Sequence, residues 1–188
     1  MAEYDDKYFE SRGLEQKHYL QTMIWISHFN LNSNTFVLDY GSGRGPYVHA
    51  LRYYEIPAFG IDIAESAVRN PIGFANGNIF LENELQFRTY DLVICYDVME
   101  HIEENQLNSF IENLKRYCKK YLLCSICFFN DPNWQLDKTH KIMKSRFWWI
   151  KKIEDYGFRL LETPKDFMFK EQILIFELNP LLIPEKKS

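Results

Sequence analysis

Val37-Leu38-Asp39-Tyr40-Gly41-Ser42-Gly43-Arg44-Gly45 reads as an apolar strand running straight into a loop with glycine at every second position. Glycine has no Cβ and tolerates positive φ, so such a loop lets backbone approach a ligand closely. A helix starting after it turns unpaired N–H groups toward that ligand. A nucleotide-like cofactor is the first expectation. The dinucleotide fingerprint requires G-x-G-x-x-G, but here the third glycine is Gly45 and the position that fingerprint requires is Pro46. NAD is therefore disfavoured.

Three further stretches follow in order. Pro57 to Ile63 is a second apolar strand ending in Gly60-Ile61-Asp62-Ile63, and Asn76-Gly77-Asn78-Ile79 is read as following a third short strand at 74–79. Tyr90 to Tyr96 is a buried-strand run that passes through Asp97-Val98-Met99 into Glu100-His101-Ile102. An acid two positions before G-x-G-x-G, followed by these pieces, resembles the class I S-adenosylmethionine (SAM) methyltransferases. The resemblance covers residues 37 to 102. It implies a cofactor site made by Asp39, Gly41, Gly43, Gly45, Asp62, Ile63, Asn78, Ile79 and Tyr96, with Asp62 accepting both ribose hydroxyls. The family usually has Asp where this chain has Asn78, whose amide oxygen offers the adenine amino group an acceptor without the charge.

Composition fits a compact enzyme. The 188 residues, 46% hydrophobic, suffice for one core and leave no room for a second full domain. The expectation is a single domain over 1–188, with a helical cover at 1–33 and an exposed tail at 180–188. The net charge of −4 disfavours duplex nucleic acid as a partner. No stretch is apolar for long enough to span a bilayer, and the polar, acidic start Met1 to Glu10 does not suggest a leader, so the protein is expected in the cytoplasm. Cys95, Cys118, Cys124 and Cys127 read as buried small hydrophobes rather than a disulfide or zinc framework, because Cys124 and Cys127 fall in one strand-like run.

The order of apolar segments predicts an α/β doubly wound, Rossmann-like seven-stranded sheet closed by a C-terminal antiparallel hairpin. Strands are expected at 35–40, 57–63, 74–79, 90–96, 121–128, 157–163 and 171–178, and helices at 46–55, 64–69, 103–118 and 145–156. A leading helix over 14–30 should present Leu14, Tyr19, Met23, Ile26 and Phe29 to the sheet or cofactor.

Ligands of open α/β sheets sit beyond the carboxyl ends of the strands, so the segment Asn130 to His140 should lie near the methyl acceptor. Asp137-Lys138-Thr139-His140, an aromatic helix and then Gly157-Phe158 resemble small-molecule members of the family. His140 is the candidate for taking the acceptor's proton, since histidine ordinarily titrates near neutrality, and Asp137 is close enough in sequence to orient it. Trp148 and Trp149 read as core or interface rather than ligand platforms.

Asp97, Glu100 and His101 at i, i+3 and i+4, together with His140, also have metal-ligand spacing. In metal-free members of the family that this chain resembles, the Glu-His pair serves as a helix-start and packing element, and no metal is expected. The expectation is a monomer or weak homodimer that methylates an oxygen or nitrogen of a small metabolite, such as a sugar-like or hydroxylated compound. Rivals are a non-catalytic SAM-binding sensor or regulatory subunit, and an RNA-end methyltransferase using Arg44, Lys138, Lys141, Lys144 and Arg146.

Overall fold

The chain is described here by a computed structural model covering residues 8–9, 13–86, 88–129, 131–132 and 137–179. The expected tail at 180–188 and most of the segment before residue 13 lie outside these residues. Helix α1 (Gln16–Phe29) precedes β1 (Val37–Tyr40), α2 (Pro46–Tyr53), β2 (Ala58–Asp62), α3 (Glu65–Arg69), β3 (Ile79–Leu81) and β4 (Tyr90–Tyr96). Then come α4 (Leu107–Tyr117), β5 (Cys118–Ser125), α5 (Arg146–Glu154), β6 (Phe158–Leu161) and β7 (Ile173–Leu178).

Among the described residues the strands form one seven-stranded sheet in the order β3-β2-β1-β4-β5-β7-β6. The first five are parallel, and β7 runs antiparallel to both β5 and β6. All four residues of β1 are buried, as a central strand covered on both faces requires. Side chains alternate between two cores. Leu38, Val93, Cys95, Leu122 and Cys124 pack under Leu107, Ile111, Leu114, Trp149 and Ile153 of α4 and α5. Val37, Leu92, Ile94 and Leu123 pack against Trp25, Phe29, Val48 and Leu51 of α1 and α2. The chain leaves β1 toward β2 and returns to the other side of β1 as β4, so the carboxyl ends of β1 and β4 flank the crevice where such sheets bind ligands.

Several boundaries differ from the expectation. The third strand is Ile79–Leu81, not 74–79, because Gly73–Ala75 forms a 3₁₀ turn with Gly73 at φ +46°. Strand β5 begins at Cys118 directly after α4, its opening Lys119 and Lys120 being exposed rather than apolar. Helix α1 buries His18, Gln21, Thr22, Trp25 and Phe29, while Met23 is 53% exposed. Its inner face is thus one turn-position away from the apolar stripe, and it carries polar groups that find partners. Gln21 accepts from the Tyr47 hydroxyl and donates to that of Tyr96 at 2.8 Å. The four cysteines are buried and free, although Cys127 lies beyond the end of β5. Trp149 is fully buried in the core.

Candidate active site

The glycine loop is shaped by backbone. Gly41, Gly43 and Gly45 have φ of +84°, +53° and +76°. A Cβ at Gly41 would lie 2.5 Å from Val98 Cγ2, and one at Gly45 would meet Ile79 Cδ1 at 2.3 Å and Ala75 Cβ at 2.8 Å. Both positions therefore exclude a side chain by space as well as by φ. The loop's N–H groups are largely spent within the protein. Gly41 and Ser42 donate to Ile61 O at 2.8 and 3.0 Å, and Gly43 donates to the Asp62 carboxylate at 2.8 Å. The helix that follows opens on Pro46, which has no N–H. The expectation of unpaired amides aimed at a ligand gives way to a loop sewn onto β2, with Asp62 as the fastener.

Asp62 also accepts from Ala64 N at 2.8 Å. Burial raises its pKa, against the backbone N–H bonds that pull it down. Asp39 is 3% exposed, and burial, then the charge of Asp62, pushes its carboxyl up to about 8. Two carboxylates with this bias suit a cationic ligand that restores the charged form. Exposed Ile63, at 74%, stands beside Asp62, and Phe9 closes the loop from above, 3.2 Å from where a Gly43 Cβ would be. Tyr96 ends β4, half-buried, with its ring 5.1 Å from Tyr47; burial, then Asp97, raises its pKa to about 12.

Asn78 and Ile79 require correction. In the parallel register Gly60 pairs with Ile79 and Asp62 with Leu81, so both residues enter β3 at the end remote from the ligand crevice. The Asn78 amide donates to Phe74 O and Asn76 O at 3.1 and 3.0 Å, closing the turn, and Ile79 packs under Gly45. The residue that leaves β3 next to Asp62 is Glu82, whose Oε1 accepts from Tyr40 Oη and, at 3.2 Å, from Asn113. Reading Ile79-Phe80-Leu81 as the third strand would have found it.

Past β4 the backbone is strained at Asp97, a non-glycine at φ +54°, with a side chain that accepts from Ser125 Oγ. Then Met99–His101 forms a 3₁₀ turn rather than the start of a helix, and α4 begins only at Leu107. This turn buries Glu100 to 1% exposure and leaves His101 half-buried. Glu100 Oε1 accepts from Cys127 N at 2.8 Å, while Glu100 O accepts from Lys141 N and Ile142 N at 2.7 and 3.1 Å, which ties down the returning segment. Burial, then Asp97, raises the Glu100 pKa.

Asp137 Oδ1 accepts from Thr139 N at 2.9 Å and from Thr139 Oγ1 at 2.5 Å, and Thr139 Oγ1 lies 2.8 Å from His101 Nδ1. Burial acts to raise the Asp137 pKa, but the two Thr139 bonds, with His101 and His140, outweigh it and hold the carboxyl low. The His101 and His140 rings are 4.7 Å apart. The Asp137 carboxylate, expected to orient His140, is instead bonded to Thr139 and through it reaches His101, while His140 meets His101 ring to ring, a link with no local signature.

The family profile described as "Methyltransferase domain" matches residues 17–162. Phosphoethanolamine N-methyltransferase of Plasmodium falciparum is 26% identical over 82% of this chain and 60% of its own length. A ubiquinone biosynthesis O-methyltransferase of Rickettsia canadensis is 33% identical over 50% of this chain and 42% of its own. The chain thus spans roughly half the length of these curated relatives. In fold it is similar to the magnesium protoporphyrin IX methyltransferase of Synechocystis with bound SAH, at TM-score 0.65 and 20% identity over 86% of this chain and 81% of that one. With the glycine loop, Asp62 and the β1–β4 crevice in these positions, the chain belongs to the methyltransferase-domain family, of the class I SAM-dependent type.

Proposed function

We propose that this chain is a SAM-dependent methyltransferase that methylates an oxygen or nitrogen of a small metabolite. The observation that carries this reading is the glycine loop fastened to Asp62 at the β1–β4 crevice, beside the β4 end that leads into the His101–His140 pair. A side chain at Gly41 would collide with Val98, and Asp62, already oriented by two amides, keeps lone pairs for ribose hydroxyls. Asp39, Gly41, Gly43, Gly45, Asp62, Ile63 and Tyr96 would hold the cofactor, with Glu82 taking the place given to Asn78. When bound, SAM supplies an electrophilic methyl group on its sulfonium.

The chain's own work is alignment and proton removal. His140 is the residue proposed to take the acceptor's proton, with Asp137 anchoring its loop through Thr139. That proton loss would free the acceptor's lone pair for the methyl group that SAM supplies when bound. The relatives whose names specify N- and O-methylation support this acceptor class. The cations that an RNA end would need are largely engaged. Lys141 and Lys144 face Glu103 and Glu104 at 3.7 and 3.1 Å, and Arg44 and Arg146 donate to Asn70 O and Glu171 O.

Among the described residues no helix is long and apolar enough to cross a membrane. A cytoplasmic location and a single domain acting as a monomer or weak homodimer complete the proposal. Calorimetry with SAM, SAH and NAD tests it. Micromolar binding of SAM or SAH is expected, and preferential binding of NAD overturns it. Methyl transfer to a panel of hydroxyl- and amine-bearing metabolites separates an enzyme from a mere SAM-binding sensor.

A further inference from the structure

The geometry points to a divalent transition-metal site formed by Glu100, His101 and His140. One donor atom from each of the three lies within 4.8 Å of the others, although His140 is far along the chain from the Glu100-His101 pair. Modest side-chain adjustment closes this set to the spacing that imidazole and carboxylate ligands take around an ion at about 2.0–2.2 Å.

Two independent features indicate a ligand there. First, Glu100 is buried with only one oxygen satisfied: Oε1 accepts from Cys127 N, whereas Oε2 has no hydrogen-bond partner among the described residues. A buried carboxylate oxygen without a donor is costly, and a cation beside two imidazoles satisfies it. Second, the hydrogen-bond directions fix the His101 tautomer. The Thr139 hydroxyl has one proton and gives it to Asp137 Oδ1, an oxygen that also accepts from Thr139 N, so toward His101 Thr139 acts as acceptor. Nδ1 of His101 therefore carries its hydrogen, and in the neutral ring Nε2 holds the lone pair. A histidine whose Nδ1–H is oriented by a carboxylate-anchored group has the arrangement that metal-ligating histidines use.

Asp97, the fourth member of the spacing pattern, is not one of the three converging donors, being exposed and accepting from Ser125, although its charge is felt at Glu100. Two imidazoles and one carboxylate suit Zn²⁺ or a neighbouring first-row ion and leave coordination positions open. The half-buried histidines lie past the carboxyl end of β4, so those positions are reachable from the acceptor side. This role rests on the methyl-transfer reading and refines it: with the ion bound, an acceptor oxygen on the ion is acidified and loses its proton to solvent while His140 serves as a ligand, and the proton-accepting role proposed for His140 belongs to the ion-free chain.

The test uses the full chain, stripped with chelator and dialysed, with Co²⁺ as a visible-absorption probe and Zn²⁺ added in calorimetric competition. SAM affinity is measured on the same samples as a check on folding. Expected are about one ion per chain, loss of the Co²⁺ bands in His101→Ala and His140→Ala, and an affinity about 10- to 100-fold weaker in Thr139→Val, with SAM affinity unchanged. Absence of Co²⁺ bands in the native chain, or equal Zn²⁺ affinity in native and variant chains, overturns the site. Ion binding without SAM binding sinks the methyltransferase reading and leaves the ion site standing.

Discussion

The glycine-loop end of the crevice is held by backbone, and the His101–His140 end by side chains. At the first, positive-φ residues and amides donating to Ile61 O and Asp62 set every position within a short span of chain. At the second, Asp137, Thr139 and His101 form a chain of side-chain hydrogen bonds between segments joined only by the fold. A backbone-built site is rigid and tolerant at its neighbouring side chains, whereas a side-chain site can lose its chemistry to a single truncation while the fold survives.

Removing the His140 imidazole gives the largest expected effect and separates the two ends most sharply. His140→Ala should lower turnover by about 10²- to 10⁴-fold while leaving SAM affinity within error, whether the ring acts as base or ligand. Steady-state rates beside calorimetry check it, and a parallel loss of SAM affinity would mean that the two ends are one unit. Asp62→Ala is the complementary cut. It removes charge-assisted bonds to the ribose and the fastener of Gly43, and should weaken SAM binding by about 2–4 kcal/mol, measured by titration calorimetry. Unchanged affinity breaks the assignment of the loop.

Gly45→Ala probes the backbone character itself. The φ of +76° and the approach of Ile79 and Ala75 should make it less stable by about 1–3 kcal/mol in urea unfolding, a cost that a side-chain-built site would not show. The smallest effect concerns pH. Burial, then Asp62, raises the Asp39 pKa from 3.8 to about 8, so the folded state holds a proton that the unfolded chain releases. That contribution is full below about pH 4 and is lost as pH rises toward 8. Asp39→Asn should therefore shrink the fall in melting temperature between pH 5 and pH 8 in the ligand-free protein. Asp62 is shifted in the same direction, so part of the slope remains. An unchanged slope would show that Asp39 does not carry the extra proton of the folded state.

Most strands were legible because parallel strands buried on both faces read as apolar runs, as in Leu92 to Cys95. The third strand was not, because Ile79-Phe80-Leu81 is short and a glycine-rich turn precedes it. That error carried the expected adenine contact to Asn78, at the start of the strand, rather than to the end beside Asp62, where Glu82 leaves it. Helix α1 misled for another reason: its buried face uses His18, Gln21 and Thr22, and hydrophobic periodicity cannot register polar groups such as Gln21, buried because the Tyr47 and Tyr96 hydroxyls await it.

By itself the sequence determined the loop from Asp39 to Gly45, the acid at Asp62 and the winding of the sheet, since each depends on contiguous residues whose backbone freedom or burial pattern is written locally. Only the tertiary structure decided that Glu100, His101 and His140 meet and that Asp137 reaches His101 through Thr139. The reason is the parallel sheet. It sets the ends of β4 and β5 side by side, so the 3₁₀ turn after one and the loop after the other face the same crevice, however much chain lies between them.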